Sequence, residues 1–154
     1  MDRVQEFLKR KQVNITVQAY LIDALGAMAF GLFASLLIGT IFETLGQQLG
    51  IESFLVVGAY AKSATGAALG LAVAHALKAP QLVLFSAATV GIAGNELGGP
   101  VGALVATIIA TELGKIVSKE TRLDIIVTPG LTIASGVLIA QFVGPALGGD
   151  MDWF

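Results

Sequence analysis

The sequence predicts an all-α, polytopic membrane helix bundle with about five transmembrane helices and a short interfacial helix at the N-terminus. Three observations carry this. First, only 13% of the 154 residues are charged, 55% are hydrophobic, and the mean hydropathy is +0.83. An average globular chain carries roughly 25% charge, so too few charges are present to build a soluble shell. Second, the charges fall between long charge-free windows. Third, the positive charges gather on one side of the spans so defined. The same composition excludes a disordered tail, a disulfide-stapled module (Cys is 0) and a nucleic-acid binder (net charge -2).

A span needs roughly 20 mostly apolar residues. Ala24 to Phe42, Ala79 to Asn95, Leu97 to Thr111 and Ile125 to Gly149 carry no charge. Ser63 to Leu77 holds only His75, and Ser53 to Ala61 extends it outward past Lys62. The predicted helices are 17–45, 54–77, 81–95, 100–118 and 125–146. The third is short for a full span, so it either tilts little or is partly re-entrant. The whole of 1–154 reads as a single transmembrane domain, with 1–15 a cytoplasmic interfacial segment and 16–149 the bundle.

The prolines punctuate this division. Pro80 and Pro100 open the third and fourth helices, Pro129 lies in the first turn of the fifth, and Pro145 closes it. Proline suits a first turn because the N–H it lacks has no intrahelical partner there. Asn14 and Thr16 are candidate caps before the first helix. Asn14-Ile15-Thr16 also matches a glycosylation sequon, read as chance on the cytoplasmic side.

With five spans, Arg3, Lys9, Arg10, Lys11, Lys78, Lys115, Lys119 and Arg122 share one side. The other side carries Glu43, Glu52, Glu96, Asp150 and Asp152. The positive-inside rule then puts the N-terminus in the cytoplasm and the C-terminus outside. The apolar run after the basic start is too long for a signal peptide, and no small-residue cleavage site follows. Val4, Phe7 and Leu8 share one face of 2–12 with the basic residues elsewhere, as in a helix lying on the leaflet. A frayed basic tail is the alternative.

Small residues mark the packing faces. Asp23, Ala27, Gly31, Ser35, Gly39 and Glu43 recur every four residues, as do Gly58, Lys62, Gly66, Gly70, Ala74 and Lys78. Gly94, Gly98 and Gly102 continue the spacing around the next turn. Such faces let helix backbones approach closely in lipid, so the ionisable residues on them point into protein. Gly31, Ser35, Gly39, Gly66, Gly70, Gly98 and Gly102 are the expected packing positions.

Seven residues are candidates for ligand binding or translocation: Lys62, Asn95, Glu96, Asp23, His75, Glu112 and Thr128. An intramembrane Lys costs about 2.5–3.5 kcal/mol, so Lys62 either snorkels to the outer interface or pairs or lines a wet cavity, with Glu43 and Glu96 at similar depth. Asp23 can pair with His75 or Lys78 if the first two helices pack antiparallel. Glu112 either pairs with Lys115 three residues on or serves as a coupling carboxylate. Asn95 and Glu96 sit in the glycine-dense break Gly91–Gly102, which is either a tight hairpin or the kind of broken helix that lines transporter sites. Thr128-Pro129-Gly130 is a second break. One His and no Cys give no metal set, and no cofactor or catalytic constellation is found.

Three stretches carry a family resemblance. They are Ile22-Asp-Ala-Leu-Gly-Ala-Met-Ala-Phe-Gly-Leu-Phe-Ala-Ser-Leu-Leu-Ile-Gly-Thr40, Leu77-Lys-Ala-Pro-Gln-Leu-Val-Leu-Phe85, and Leu97-Gly-Gly-Pro-Val-Gly-Ala103 running on through Thr111 to Pro129. Together they resemble the N-terminal half of the bacterial phosphotransferase-system EIIC-like, or PfoR-type, membrane family. The resemblance implies a multi-pass transporter of the bacterial cytoplasmic membrane, nominally for a sugar. Family members continue with a second set of spans, and their turn before Leu97-Gly-Gly-Pro is mostly small and apolar, where this chain has Asn95 and Glu96. Any phosphotransfer needs separate soluble components, so the chain itself is not expected to be an enzyme.

The leading expectation is therefore a transporter or transporter half for an unknown small solute, embedded in lipid with a parallel second copy or a second membrane subunit, and without nucleic acid. A non-transporting scaffold or regulator is the second reading, and an oligomeric channel the third.

Overall fold

The computed structural model describes residues 2–146 except 12, 14 and 17. The Asn14 cap and sequon, and the acidic pair Asp150 and Asp152, therefore lie outside the described residues. Among the described residues every regular element is helical. The chain runs through α1 (Asp2–Arg10), α2 (Tyr20–Leu49), α3 (Glu52–Ser63), α4 (Thr65–Ala76), α5 (Gln81–Val117) and α6 (Asp124–Gly144).

Three helices are long and apolar enough to cross a membrane: α2, α5 and α6. The pair α3 and α4, bent by 46° at its break, makes a fourth candidate. The expected single helix 54–77 is thus two pieces. The bend falls at Ala64, where the Ser63 hydroxyl donates to the Tyr60 carbonyl and the Thr65 hydroxyl to the Lys62 carbonyl. Hydroxyls that bond back to the preceding turn bend helices. α2 runs four residues beyond its expected end, to Leu49, through a π-helical stretch at Phe33–Leu37.

α5 is not one rod. Its 37 residues would extend about 55 Å as a straight helix, nearly twice the roughly 30 Å hydrocarbon core. Gly99 interrupts it with φ 67° and ψ -166°, a backbone region that glycine alone occupies readily. Residues 94 and 103 would lie about 13 Å apart in a straight helix. Here a Cβ on Gly94 would sit 2.6 Å from the Ala103 Cα, and Val83 packs against Gly114. α5 is an antiparallel hairpin of arms 81–98 and 100–117, each about 27 Å long, with Pro100 opening the second arm. The first arm runs on to Gly98, past the expected end at 95.

Glycines set the rest of the packing. A Cβ on Gly31 would meet the Ala68 carbonyl oxygen at 2.9 Å, and one on Gly39 the Gly58 carbonyl oxygen at the same distance. α2 therefore packs antiparallel to α4 and α3. Gly66 lies against Ile92 of the first arm, and Gly70 and Gly91 face each other. Gly98 touches Gly144, while Gly136 packs between Val90 and Ala110, so α6 runs parallel to the first arm and antiparallel to the second. Ser35 is buried on the same stripe, its hydroxyl bonded to the Gly31 carbonyl.

These registers fix two ends. One gathers the start of α2, the end of α4, both termini of α5 and the start of α6, with α1 lying across it. The other holds the α2–α3 turn, the Gly99 turn and the end of α6. The first carries the Lys and Arg of α1 and of the segments after α4 and α5. The second carries Glu43, Glu52 and Glu96. They are called the basic end and the acidic end below.

Candidate functional site

The basic end is built around a buried charge. Lys115 sits on the second arm of α5 with its residue only 2% exposed. Its ammonium donates to the Glu112 carboxylate at 2.9 Å and to the Leu77 carbonyl at 2.6 Å. The other Glu112 oxygen accepts from the Tyr20 hydroxyl at 2.7 Å. Three helices thus meet through one carboxylate and one ammonium. A buried charge is tolerable when paired and fully hydrogen-bonded, and this pair has partners on α2 and at the C-terminal cap of α4 as well as its own turn.

Above the pair opens a cavity of about 780 Å³ lined by α1, Asp23, the end of α4 and Lys115, with Lys9, Arg10 and Lys78 in its wall. A second, of about 420 Å³, adjoins it between Lys11, Lys78, Lys115, Lys119 and Glu120. α1 is fastened over both by Lys11, whose ammonium bonds the Ser118 carbonyl and the Glu120 carboxylate. That hydrogen bond to Lys11 holds the Glu120 carboxyl below the usual glutamate range.

The backbone is also unusual here. Lys78 and Lys119 have φ of 62° and 63°. The Ala79 N–H bonds the Ala74 carbonyl five residues back, which is the Schellman closure of a helix end. Its left-handed position is ordinarily glycine.

From Lys115 a polar stripe enters the bundle. Thr111 and Thr107 lie one and two turns away on the same face of the second arm. Both residues are fully buried, and among the described residues neither hydroxyl has a hydrogen-bond partner. Other buried hydroxyls nearby are satisfied: Ser86 by the Leu82 carbonyl, Thr132 by the Thr128 carbonyl, and Thr128 by Asp124. An unpaired buried hydroxyl costs about 1–3 kcal/mol, so two in succession set this stripe apart from the satisfied hydroxyls around it.

The seven sequence candidates are divided between the two ends. Asp23, Glu112 and Thr128 lie at the basic end. Asp23 accepts from the Gln18 side chain at 3.1 Å and shares the cavity wall with Lys78. His75 is exposed at the same end. Lys62 lies at the acidic end and pairs with Glu43 at 3.0 Å, each side chain a little over one-third exposed. Asn95 is half-buried and Glu96 exposed just before the Gly99 turn. The two cavities described above both open at the opposite end. Sequence reasoning named Lys115 as the partner of Glu112 three residues before it, a pair the structure contains, but missed Tyr20 and Thr111. The spacing Thr107–Thr111–Lys115, four residues each, was the available signal.

A family model for the phosphotransferase system, EIIC, matches residues 22–153. The chain belongs to that family. As an EIIC-type chain it is a membrane-inserted, permease-like transport component. No curated protein and no solved structure matches it. The match takes in the α5 hairpin, the buried Glu112–Lys115 pair and both unpaired threonines, while α1 with Lys9, Arg10 and Lys11 precedes it.

Proposed function

We propose that this EIIC-type chain forms a transport unit, or one half of one, whose solute path joins the basic-end cavity to the interior along Lys115, Thr111 and Thr107. The observation that carries the reading is the pair of fully buried, unpartnered threonine hydroxyls in line with a cavity-lining lysine. Hydroxyls and a fixed ammonium suit a small polar solute, and a sugar is the solute class the family suggests. Glu112 and Tyr20 hold Lys115 in place. Asp23 and Thr128 flank the path at its mouth, and Lys62, Asn95 and Glu96 would serve its acidic-end exit, with His75 beside the entrance.

The membrane arrangement proposed with it is five spans: α2, the bent α3–α4 pair, the two arms of α5, and α6. The hairpin at Gly99 supports counting α5 twice. The gathering of basic groups at one end supports a cytoplasmic N-terminus and an external C-terminus in a bacterial cytoplasmic membrane. We place beside it a parallel second copy, forming a homodimer, or a second membrane subunit.

Uptake into proteoliposomes tests the reading with a panel of sugars and small anions. Replacing Thr107 and Thr111 by Val keeps their shape and removes the unpaired hydroxyls. The double variant is expected to be as stable as the parent or more so, yet to lose uptake at least tenfold. Unchanged uptake by the variant, or no uptake of any solute by the parent, would favour a scaffold or regulator.

A further inference from the structure

We propose that the larger basic-end cavity is a binding site for the phosphate group of an anionic phospholipid headgroup. The site shares its cavity with the mouth of the proposed solute path, but it draws on Lys9, Arg10 and Lys78 and not on the threonine stripe.

The charge count comes first. Lys9, Arg10, Lys78 and Lys115 line the cavity against the single carboxylate of Asp23. Lys115 is committed to Glu112 and Leu77, so the unbalanced charge belongs to Lys9, Arg10 and Lys78. Among the described residues neither Lys9 nor Lys78 takes part in an ion pair, and Arg10 reaches Glu120 only at 3.6 Å. Three cations held around one void favour an anion, and a guanidinium beside two ammoniums matches a phosphate oxyanion.

The backbone that carries the cations is also tied down. Lys9 and Arg10 form the last turn of α1, which Lys11 ties to Ser118 and Glu120. Lys78 occupies a left-handed backbone position that would be cheaper as glycine. Keeping a long cation there points the same way as the charge count.

The rim separates a lipid from a free anion. Leu8, Val13 and Ile15 share the lining with the cations. Ile15 is 69% exposed, and Leu21 and Ile22 near the start of α2 are 57% and 59% exposed. A free phosphate has no use for an apolar rim. A phospholipid places its glycerol and first methylenes there when its phosphate lies among the cations, and basic pockets between cytoplasmic helix ends bind lipid headgroups in this way.

The test uses the full chain in a neutral detergent, with melting temperature and native mass spectrometry as readouts. Phosphatidylglycerol, phosphatidylcholine and inorganic phosphate are added at equal phosphate concentration. The expected result is a rise of several degrees and retained lipid with phosphatidylglycerol alone. Substituting Lys9, Arg10 and Lys78 together by Gln is expected to weaken that response at least tenfold. The R3Q/R122Q variant, which removes two cations outside the cavity, keeps it. Should the triple variant fail to fold, K78Q alone is expected to weaken the response at least threefold. An equal response to phosphatidylcholine, a full response to inorganic phosphate, or an undiminished response in the cavity variants would each overturn the assignment.

Discussion

The two ends of the bundle use the same backbone device with different residues. Four described positions have a left-handed φ, and all four close a turn between helices. At the acidic end they are Gly50 and Gly99, both at 67°, and at the basic end Lys78 and Lys119. Glycine takes that region freely, whereas a residue with a Cβ loses about 1–2 kcal/mol. Ion pairs differ in the same sense. Lys62–Glu43 at the acidic end is partly open to solvent, while Lys115–Glu112 is almost closed off. Local preference is obeyed at one end and overridden at the other. Exceptions to local preference concentrate where a structure does something besides fold, and here they border the cavities.

Removing each lysine is the strongest way to break the comparison. Lys115→Ala leaves Glu112 charged and buried, a loss expected at about 3–5 kcal/mol. Lys62→Ala opens a half-exposed pair worth less than about 1 kcal/mol. Unfolding of the two variants in detergent, side by side, reads the difference. Equal losses would remove the distinction between the ends.

The turn residues give the next effect. Gly99→Ala meets no neighbour, since nothing lies within 4 Å of its Cβ, so its cost is backbone strain alone, about 1–3 kcal/mol. Lys78→Gly should do the reverse. It is expected to stabilise the chain by about 1 kcal/mol while weakening its response to anionic lipid. A Lys78→Gly variant less stable than the parent would show that the lysine is there for the fold.

The smallest effect is on pH. Glu120 has its carboxyl held below the ordinary value of 4.5 by Lys11. A depressed carboxyl contributes stability that is complete above 4.5 and lost as the pH falls through the lowered value. Docking of α1 should therefore loosen only in acid below that point, and Glu120→Gln should abolish the dependence. Protease sensitivity of the α1 connection against pH measures it.

Much of this architecture was legible in the sequence because membranes make charge and proline informative. Pro80 and Pro100 marked real helix starts, the glycine stripes marked real contacts, and the Gly91–Gly102 break marked the hairpin. The bend at Ala64 was hidden because Ser63 and Thr65 read equally well as solvated or as bonded to the turn before. The Glu112–Lys115 pair was legible from its spacing, but the rest of its network was hidden for a different reason. Its partners, Tyr20 and the Leu77 carbonyl, are far away in sequence, and a Lys near a span end looks like any positive-inside residue. Lys62 drew attention by its depth, yet a partner on α2 satisfies it. Depth along a helix can be counted from sequence, but which face closes over a charge is set by tertiary packing.

The central claim is that a polar path enters from the basic end along Thr111 and Thr107. The chain has no Cys, so single cysteines can be placed against a clean background. In oriented vesicles, Thr111→Cys and Thr107→Cys should react with a small water-soluble thiol reagent added on the basic side, with Thr111 faster, while Val90→Cys and Ala140→Cys in the packed core stay unmodified. Threonine positions as unreactive as Val90 and Ala140 would contradict the account.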